Sequence, residues 1–439
     1  MPHVRPTRAP GGRRRVPALL ILAAVMLVAA ACSGPGQGPT PAPTAAPTTP
    51  PPPPTATVAA APAATATTPP SPTATPRPPT ATPTARAAAS PRPTATPGAA
   101  QAATPTGSPF TFSQSPGPFE RVGLAGQDIA ALAVGGPDGA LLYAGGAGVQ
   151  QSTDGGKTWQ LVRTADQAPA VKAIAIAPSD TRTVYVGVSR GCARGGESPG
   201  YVSTDGGATW TETGTNLIAF AVDPQNAQLV YAVSCTGVLR SGDAGRTWDT
   251  LDGAKVENFD PTLIAIAPSN NQTLYVAYAS EGGTVRVRRS DDAGTTWQDA
   301  NPPGDLTGPL ALAVDATDDQ AVYLSTLSGV YKSANGGRAW ELQSSGLEAT
   351  TGGNGPAGTR TNSAIIADPG QHDRLWLGTG AGRASGSGVY TTQDGGADWT
   401  KYSSGLEGHP IHALALGGTA DQRLLYAATD DGIWSVLAR

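Results

Sequence analysis

Beyond residue 118 the chain carries short apolar segments, separated by polar turns, that recur at a regular spacing. One segment of each unit alternates apolar residues, as in AIAIAP at Ala173 to Pro178. The next is centred on an aromatic residue, as in TVYVGV at Thr183 to Val188, and a third resembles GVYKS at Gly329 to Ser333. Alternation with a period of two predicts β-strands. The pattern therefore predicts an all-β fold built from repeated units.

Every complete unit ends in the motif S/T-x-D-x-G-x-x-W, which first occurs as STDGGKTW at Ser152 to Trp159. Its third position is occupied by Asp154, Asp205, Asp243, Asp292, Asn335 and Asp394. Its last position is occupied by Trp159, Trp210, Trp248, Trp297, Trp340 and Trp399. Successive tryptophans are 51, 38, 49, 43 and 59 residues apart. Four strands per unit at this period are typical of propeller blades.

The chemistry of the motif is that of a tight hairpin turn. An Asp can accept hydrogen bonds from turn amides, the Gly at the fifth position can adopt φ > 0, and the Ser or Thr can bond locally to the backbone. The Trp offers an apolar face to a neighbouring blade. Six equivalent turns cannot form one active site, so we assign the motif a structural role.

The motif resembles the Asp-box, or BNR, repeat of sialidases, xyloglucan hydrolases, the sortilin luminal domain and the photosystem II assembly factor. The resemblance covers about residues 119–439. It implies a β-propeller of four-stranded antiparallel blades, with the box at the turn between the third and fourth strands.

The two ends of this region predict seven blades from six boxes. After the last box, Ile411 to Leu416, Leu424 to Thr429 and Gly432 to Leu437 supply three more strands. At the start, Phe119 to Leu124 resembles the fourth strand of a blade. We predict that this N-terminal strand pairs with Gly432 to Leu437, because the pairing would close the ring and remove two free sheet edges.

Residues 1–118 differ from the propeller in composition. Residues 1–31 combine five Arg with an apolar run from Val16 to Ala31, and we interpret them as a signal peptide. Cleavage before Cys32 would give a lipid anchor, whereas Ala29 to Ala31 would serve an ordinary signal peptidase. Residues 32–118 are rich in Pro, Thr and Ala, which predicts a disordered, semi-rigid stalk, either bare or O-glycosylated.

Charge limits the partners that we expect. Eight of the 29 basic residues precede Glu120 and all 33 acidic residues follow from it, so residues 119–439 carry a net charge of −12. Nucleic acid is therefore excluded as a partner. Neither a cofactor motif nor a metal-ligand spacing is found around His372, His409 and His412, and we expect neither cofactor nor metal.

Two of the three cysteines lie in the propeller region. Cys235 ends a second strand, and Cys192 lies in the loop after the equivalent strand of the preceding blade. In an exported protein these two residues predict a disulfide between adjacent blades, with two free thiols as the alternative.

Candidate site residues come from the loops that vary in length, since variable loops on a constant scaffold are where binding usually occurs. These loops are residues 189–200, 251–261, 299–309, 344–363 and 378–388. The catalytic candidates are Glu257, Asp260 and Asp305, and the binding candidates are Arg190, Arg194, Phe259, Arg360 and Arg383. Further polar or aromatic residues on the face that carries these loops include Tyr278, Glu281, His409, Asp430 and Asp431.

The functional prediction is a monomeric, surface-anchored propeller that binds an envelope protein or a glycan without catalysis. The alternative is a glycoside hydrolase of the sialidase or xyloglucanase type, in which two carboxylates face each other across a pocket. A lectin-like adhesin is a third hypothesis. The predicted location is the outer face of the cell membrane, with secretion as the alternative.

Overall fold

The repeated segments form 28 strands arranged in seven four-stranded antiparallel sheets. The computed structural model describes residues 117–164, 171–189, 198–304, 306–347, 362–380, 388–402, 404–419 and 422–438. Within these ranges, helix is limited to one short 3₁₀ turn, Asp252–Ala254. None of the described helical structure is long and apolar enough to cross a membrane. The predicted seven-bladed β-propeller is confirmed.

The blades follow one another along the chain. Blade 1 contains β2 (Ala131–Gly135), β3 (Leu141–Gly145), β4 (Gly148–Ser152) and β5 (Gln160–Thr164). Blade 2 contains β6 (Val171–Ile176), β7 (Val184–Val188), β8 (Pro199–Ser203) and β9 (Thr211–Thr215). Blade 3 contains β10 (Leu217–Val222), β11 (Val230–Ser234), β12 (Gly237–Ser241) and β13 (Asp249–Thr250). Blade 4 contains β14 (Phe259–Ala267), β15 (Asn270–Ser280), β16 (Val285–Ser290) and β17 (Gln298–Asp299). Blade 5 contains β18 (Pro309–Val314), β19 (Val322–Thr326), β20 (Gly329–Ser333) and β21 (Glu341–Leu342). Blade 6 contains β22 (Asn362–Ala367), β23 (Leu375–Thr379), β24 (Gly388–Thr392) and β25 (Thr400–Lys401). Blade 7 contains β26 (Ile411–Gly417), β27 (Leu424–Thr429), β28 (Gly432–Leu437) and the N-terminal β1 (Glu120–Gly123).

Ring closure occurs as the sequence predicts. Strand β1 pairs antiparallel with β28, with Glu120 opposite Ser435 and Arg121 opposite Trp434. Blade 7 therefore takes its fourth strand from the beginning of the propeller and its other three from the end.

The aromatic residue of each second strand is buried between blades, where it packs against apolar residues of its neighbours. These residues are Tyr143, Tyr185, Tyr231, Tyr275, Tyr323, Trp376 and Tyr426, each at most 1% exposed. Several of the tyrosine hydroxyls donate hydrogen bonds to the next blade, as Tyr185 does to the Ala227 carbonyl at 2.8 Å. Each such tyrosine thus satisfies its polar atom while its ring fills the core.

The Asp-box forms the predicted turn between third and fourth strands. In the first box, Ser152 Oγ accepts a hydrogen bond from the Gly156 N–H at 2.9 Å and donates one to Asp154 Oδ1 at 2.8 Å. Asp154 also accepts from the N–H and the hydroxyl of Thr158, at 2.9 and 2.6 Å. Gly156 has the expected positive φ of 92°.

The fourth position of the box also has positive φ, which the motif pattern did not predict. Its φ values lie between 57° and 75° in the six boxes, and Ala244 and Ala293 adopt this conformation without the freedom of glycine. The box hydrogen bonds therefore hold the turn in a conformation that alanine disfavours.

Three of the six box tryptophans bond to the preceding blade, whereas Trp159, Trp210 and Trp297 donate to the Gly carbonyl of their own box. The indole N–H donates to Thr213 Oγ1 from Trp248, to the Ala300 carbonyl from Trp340, and to the Gln343 carbonyl from Trp399, at 2.8–3.0 Å. Each acceptor belongs to the end of the preceding blade, so the Trp contributes packing and a directional contact between blades.

We expect the boxes to make stability depend on pH in strong acid. Hydrogen bonds from Thr158 and Ser152 lower the pKa of Asp154 from 3.8 to about 2. A carboxylate whose pKa is lower in the folded state stabilises it above pH 4, and this contribution is lost as pH falls from about 4 to 2. An Asp154→Asn variant should melt below the wild type at pH 7 and at the same temperature near pH 2, as measured by circular dichroism. A difference in melting temperature that is constant from pH 7 to pH 2 would contradict this explanation.

The fifth box shows that the turn can form without the carboxylate. Asn335 Oδ1 accepts from the Ala339 N–H at 2.8 Å, in the manner of Asp154 with Thr158. In the first box the second carboxylate oxygen of Asp154 accepts from the Thr158 hydroxyl. Ala339, at the position of Thr158, has no hydroxyl, and Asn335 has no second carboxylate oxygen, so both partners of this bond are replaced together. The Asp154→Asn variant is consequently expected to fold.

Candidate functional site

The variable loops and the boxes lie at opposite ends of the blades. In an antiparallel blade the connections alternate between two faces, so the first and third turns share one face. The boxes occupy that face. The loops between second and third strands, and those between blades, lie on the other, which we call the variable face.

Blade 4 is longer than its neighbours at the variable face. In most blades the first two strands begin pairing at one equivalent position, as in Val171 opposite Val188. Blade 4 adds two pairs before this position, Phe259 opposite Ser280 and Asp260 opposite Ala279. These two pairs extend blade 4 beyond its neighbours on this face, and we call the extension the wall.

A groove of about 390 Å³ lies against this wall, between blades 3 and 4. Its floor includes the end of β11 and the start of β12. Its polar and aromatic lining consists of Cys235, Thr236, Thr250, Asp252, Lys255, Asn258, Phe259, Asp260, Tyr278 and Glu281. The volume of the groove, and its combination of apolar and polar lining residues, are typical of small-molecule sites.

Hydrogen bonds from blade 4 stabilise the turn 252–255 at the edge of the groove. The Tyr278 hydroxyl donates to the Ala254 carbonyl at 2.5 Å, and Arg288 Nη1 donates to the carbonyls of Gly253 and Lys255 at 2.7 and 3.3 Å. Burial raises the pKa of Tyr278, so its hydroxyl stays protonated as a donor. Tyr278 therefore supports the groove and is not a free nucleophile.

Two exposed carboxylates lie on the wall side. Asp260 pairs with Ala279, two residues before Glu281, and both acidic residues line the groove. Glu281 is the first residue of the turn that follows β15. The Arg286 guanidinium lies 5.3 Å from the centre of the Phe259 ring.

The structure brings together only some of the predicted site residues. Phe259 and Asp260 line the groove, together with Glu281 and Tyr278. Glu257 is exposed on the adjoining turn, outside the lining. Asp305, Arg190, Arg194, Arg360 and Arg383 lie outside the described residues.

Sequence reasoning did not single out Asp252, Lys255, Arg286 or Arg288. Asp252 and Lys255 belong to the variable loop 251–261, which was the available signal for them. Arg286 and Arg288 are strand residues of β16, and a strand position carries no sign that a side chain supports a neighbouring loop.

Cys235 is disulfide-bonded at the edge of the groove. Cys192 and Cys32, the other cysteines, lie outside the described residues. The pairing of Cys235 with Cys192 therefore remains a prediction.

A second polar cluster lies on the box face, between blades 5 and 6. Donor atoms of Asp315, His372 and Asp373 lie within 4.8 Å of one another, a grouping that the sequence spacing did not indicate. Lys332 Nζ is 2.7 Å from Asp373 Oδ1, and the hydrogen bond that His372 donates to the Asp315 carboxylate raises the pKa of His372. Because the lysine already neutralises Asp373, we assign the cluster to the junction between the two blades.

Two kinds of comparison agree with this architecture. A family model described as BNR/Asp-box repeat matches residues 201–212. The solved GH74 xyloglucanase from Xanthomonas campestris is 19% identical with a TM-score of 0.54, over 72% of this chain and 53% of that one. A structure titled YCF48 bound to D1 peptide is 16% identical with a TM-score of 0.51, over 74% of this chain and 98% of that one.

The curated relatives are xyloglucanases. One from Hypocrea jecorina is 27% identical over 204 residues, which are 45% of this chain and 22% of the relative. One from Paenibacillus sp. is 26% identical over 287 residues, 55% of this chain and 27% of the relative. The chain thus matches about a quarter of the length of these relatives. With its repeated boxes and seven four-stranded blades, this chain is a β-propeller of the BNR/Asp-box repeat family.

Proposed function

We propose that this propeller is a glycoside hydrolase that acts on a neutral polysaccharide of the xyloglucan class. The groove between blades 3 and 4 is its proposed site. The observation that supports this most directly is that Asp260, Glu281 and Phe259 all line that groove. The similarity to xyloglucanases over about half of the chain favours the same class.

Asp260 and Glu281 are the two groove carboxylates that we assign to hydrolysis by inversion. Carboxyl groups of inverting glycosidases are about 6.5–9.5 Å apart, which leaves room for a water molecule. In this chemistry one carboxylic acid protonates the leaving oxygen, and the opposing carboxylate removes a proton from the attacking water. Asp260 and Glu281 would supply these two functions, and their separate variants would show which residue is the acid.

Charge favours a neutral substrate. Among the described groove residues, Asp252, Asp260 and Glu281 carry negative charge and Lys255 carries positive charge. The region from residue 119 onward is also acidic overall. An anionic sugar such as sialic acid would be repelled, whereas a glucan chain would not.

Non-catalytic binding is the second candidate. The structure titled YCF48 bound to D1 peptide is matched over 98% of its length, whereas the Xanthomonas xyloglucanase is matched over 53%. A single propeller thus matches nearly all of the YCF48 structure but only about half of the xyloglucanase. On this candidate the groove binds its ligand without cleaving it.

We further propose that the protein acts outside the cytoplasm. The apolar run from Val16 to Ala31 and the stalk of residues 32–118 support export, and Cys32 supports a lipid anchor. An extracellular polysaccharide would be accessible to a propeller held away from the membrane by such a stalk. The anchor and the ordinary signal cleavage are distinguished by whether the mature N-terminus carries lipid.

The test is hydrolysis of xyloglucan by the exported protein, followed as reducing-end release. Asp260→Asn or Glu281→Gln should lower kcat at least 100-fold, because acid–base catalysis contributes about 10²–10⁴. Glu341→Gln, which changes an exposed carboxylate on β21, should retain activity. Binding without hydrolysis by the wild type would favour the non-catalytic candidate. The absence of both would overturn the proposal.

A further inference from the structure

We propose that Phe259 is a stacking platform for a sugar ring and that Arg286 holds this platform in position. The inference rests on the proposed function, because it assigns a sugar subsite to the same groove. Phe259 would touch the ligand, and Arg286 would act through Phe259.

The position of Phe259 is a special feature of blade 4. It is the first residue of β14, on one of the two strand pairs that blade 4 adds at the variable face. The preceding residue, Asn258, has a φ of 63°, and the Phe259 N–H donates to the Val256 carbonyl at 3.3 Å. A tight turn at Asn258 therefore places Phe259 at the start of β14, on the wall of the groove.

Two contacts hold the half-buried Phe259 ring at the groove. Arg286, which is not part of the groove lining, lies over the ring. The ring also packs in part against the core cluster that contains Tyr278, and Phe259 itself lines the groove. The guanidinium fixes the ring by a cation–π contact. The Arg286 side chain is anchored in turn, since its Nη1 donates to the Val285 carbonyl at 3.1 Å.

The groove around Phe259 has the chemistry that a pyranose requires. A sugar ring presents an apolar C–H surface and a rim of hydroxyl groups. The ring of Phe259 matches the first, and Asn258, Asp260, Glu281 and Lys255 offer donors and acceptors for the second. A single aromatic with several polar groups around it fits one sugar unit of a chain more closely than an extended apolar ligand.

Affinity for xyloglucan oligosaccharides tests the platform. We expect Phe259→Ala to weaken binding at least tenfold, measured by titration calorimetry, while Phe259→Trp and Phe259→Tyr retain it. We expect Arg286→Met to weaken binding severalfold and Arg286→Lys to recover part of the loss. Phe259→Trp should also show a ligand-induced change in fluorescence that the wild type lacks. Thermal melting of each variant reports whether it is folded.

The outcomes separate this inference from the proposed function. If the wild type binds xyloglucan oligosaccharides and Phe259→Ala binds equally well, the platform is wrong and the proposed function stands. If Phe259→Ala weakens binding but Phe259→Trp and Phe259→Tyr do not restore it, stacking is also wrong. If the wild type binds no xyloglucan oligosaccharide, both are overturned.

Discussion

A chain that begins at Gly126, and so lacks β1, should lose the cooperative unfolding of the complete propeller. Its blade 7 would keep β26, β27 and β28 and expose the free edge of β28. The loss extends beyond strand pairing, because residues at both ends of β1 contact neighbouring blades.

The residue before β1 anchors the strand in the core. Phe119 is 3% exposed and packs in a cluster that contains Tyr402 and Leu406, and its N–H donates to the Ser404 carbonyl at 2.9 Å. Truncation of a buried Phe to Ala costs about 3–5 kcal/mol. Phe119→Ala alone should therefore destabilise the propeller by this amount, and removal of the whole strand by more.

The other end of β1 contacts the first box. The Trp159 indole lies so close to Gly123 that a Cβ at this position would collide with it. Without β1 the indole of Trp159 would lose the strand on which it packs. The deletion thus opens the ring on both sides of β1, toward blade 6 and toward blade 1.

Urea unfolding followed by circular dichroism measures this prediction. The free energy of unfolding of Phe119→Ala should fall by about 3–5 kcal/mol, and the chain from Gly126 should unfold over a broader range of urea. Leu161→Ala is the matched control, because Leu161 is 49% exposed on β5. It should change the free energy of unfolding by less than about 1 kcal/mol. Equal unfolding of the long and short chains would show that β1 does not close the ring.

The elements that were predictable from the sequence are those whose interactions are local or strictly repeated. The box turn could be predicted because its partners lie within eight residues, as Ser152 and Trp159 do. Ring closure could be predicted because blade 7 has three strands after the last box and Phe119 to Leu124 resembles a fourth. Both follow from counting repeats in the chain.

The groove was only partly predictable. Phe259 and Asp260 could be named because they lie in a loop of variable length. The sequence does not show that β14 and β15 extend by two pairs, and those pairs contain Phe259 and Asp260 of the groove lining. The hydrogen bonds from Arg288 to the turn 252–255 could not be predicted either, because they join residues more than 30 positions apart.

Contacts between blades were the least predictable. An Asp follows the first strand in blades 3, 5 and 6, and each bonds its own turn and the turn of the next blade. Asp223 accepts from Asn271, Asp315 from the Asp373 N–H, and Asp368 from Arg423. Each of these Asp residues is visible in the sequence directly after an apolar first strand. Their partners could not be identified, because each lies a whole blade away in sequence.

Replacement of Asp368 by Ala should be among the most destabilising single changes on the box face. Asp368 is fully buried, and its Oδ1 accepts from Arg423 Nη1 at 2.6 Å and from the Gly370 N–H at 2.8 Å. Its Oδ2 lies 3.7 Å from Nη1 of Arg374, which is 7% exposed and stacks over Trp376 at 4.6 Å. Burial lowers the pKa of Arg374, yet a guanidinium stays charged and needs its carboxylate.

Removing one member of a buried ion pair costs about 3–5 kcal/mol, because the remaining charge is left desolvated. Asp368→Ala should lower the free energy of unfolding by this amount in urea titrations. Asp180→Ala is the control, since Asp180 pairs with the exposed Arg182 and should cost less than about 1 kcal/mol. The double variant Asp368→Ala, Arg374→Met should recover part of the loss, because it removes one of the two guanidinium charges that lose their carboxylate in Asp368→Ala. If Asp368→Ala costs no more than Asp180→Ala, this carboxylate does not hold blades 6 and 7 together.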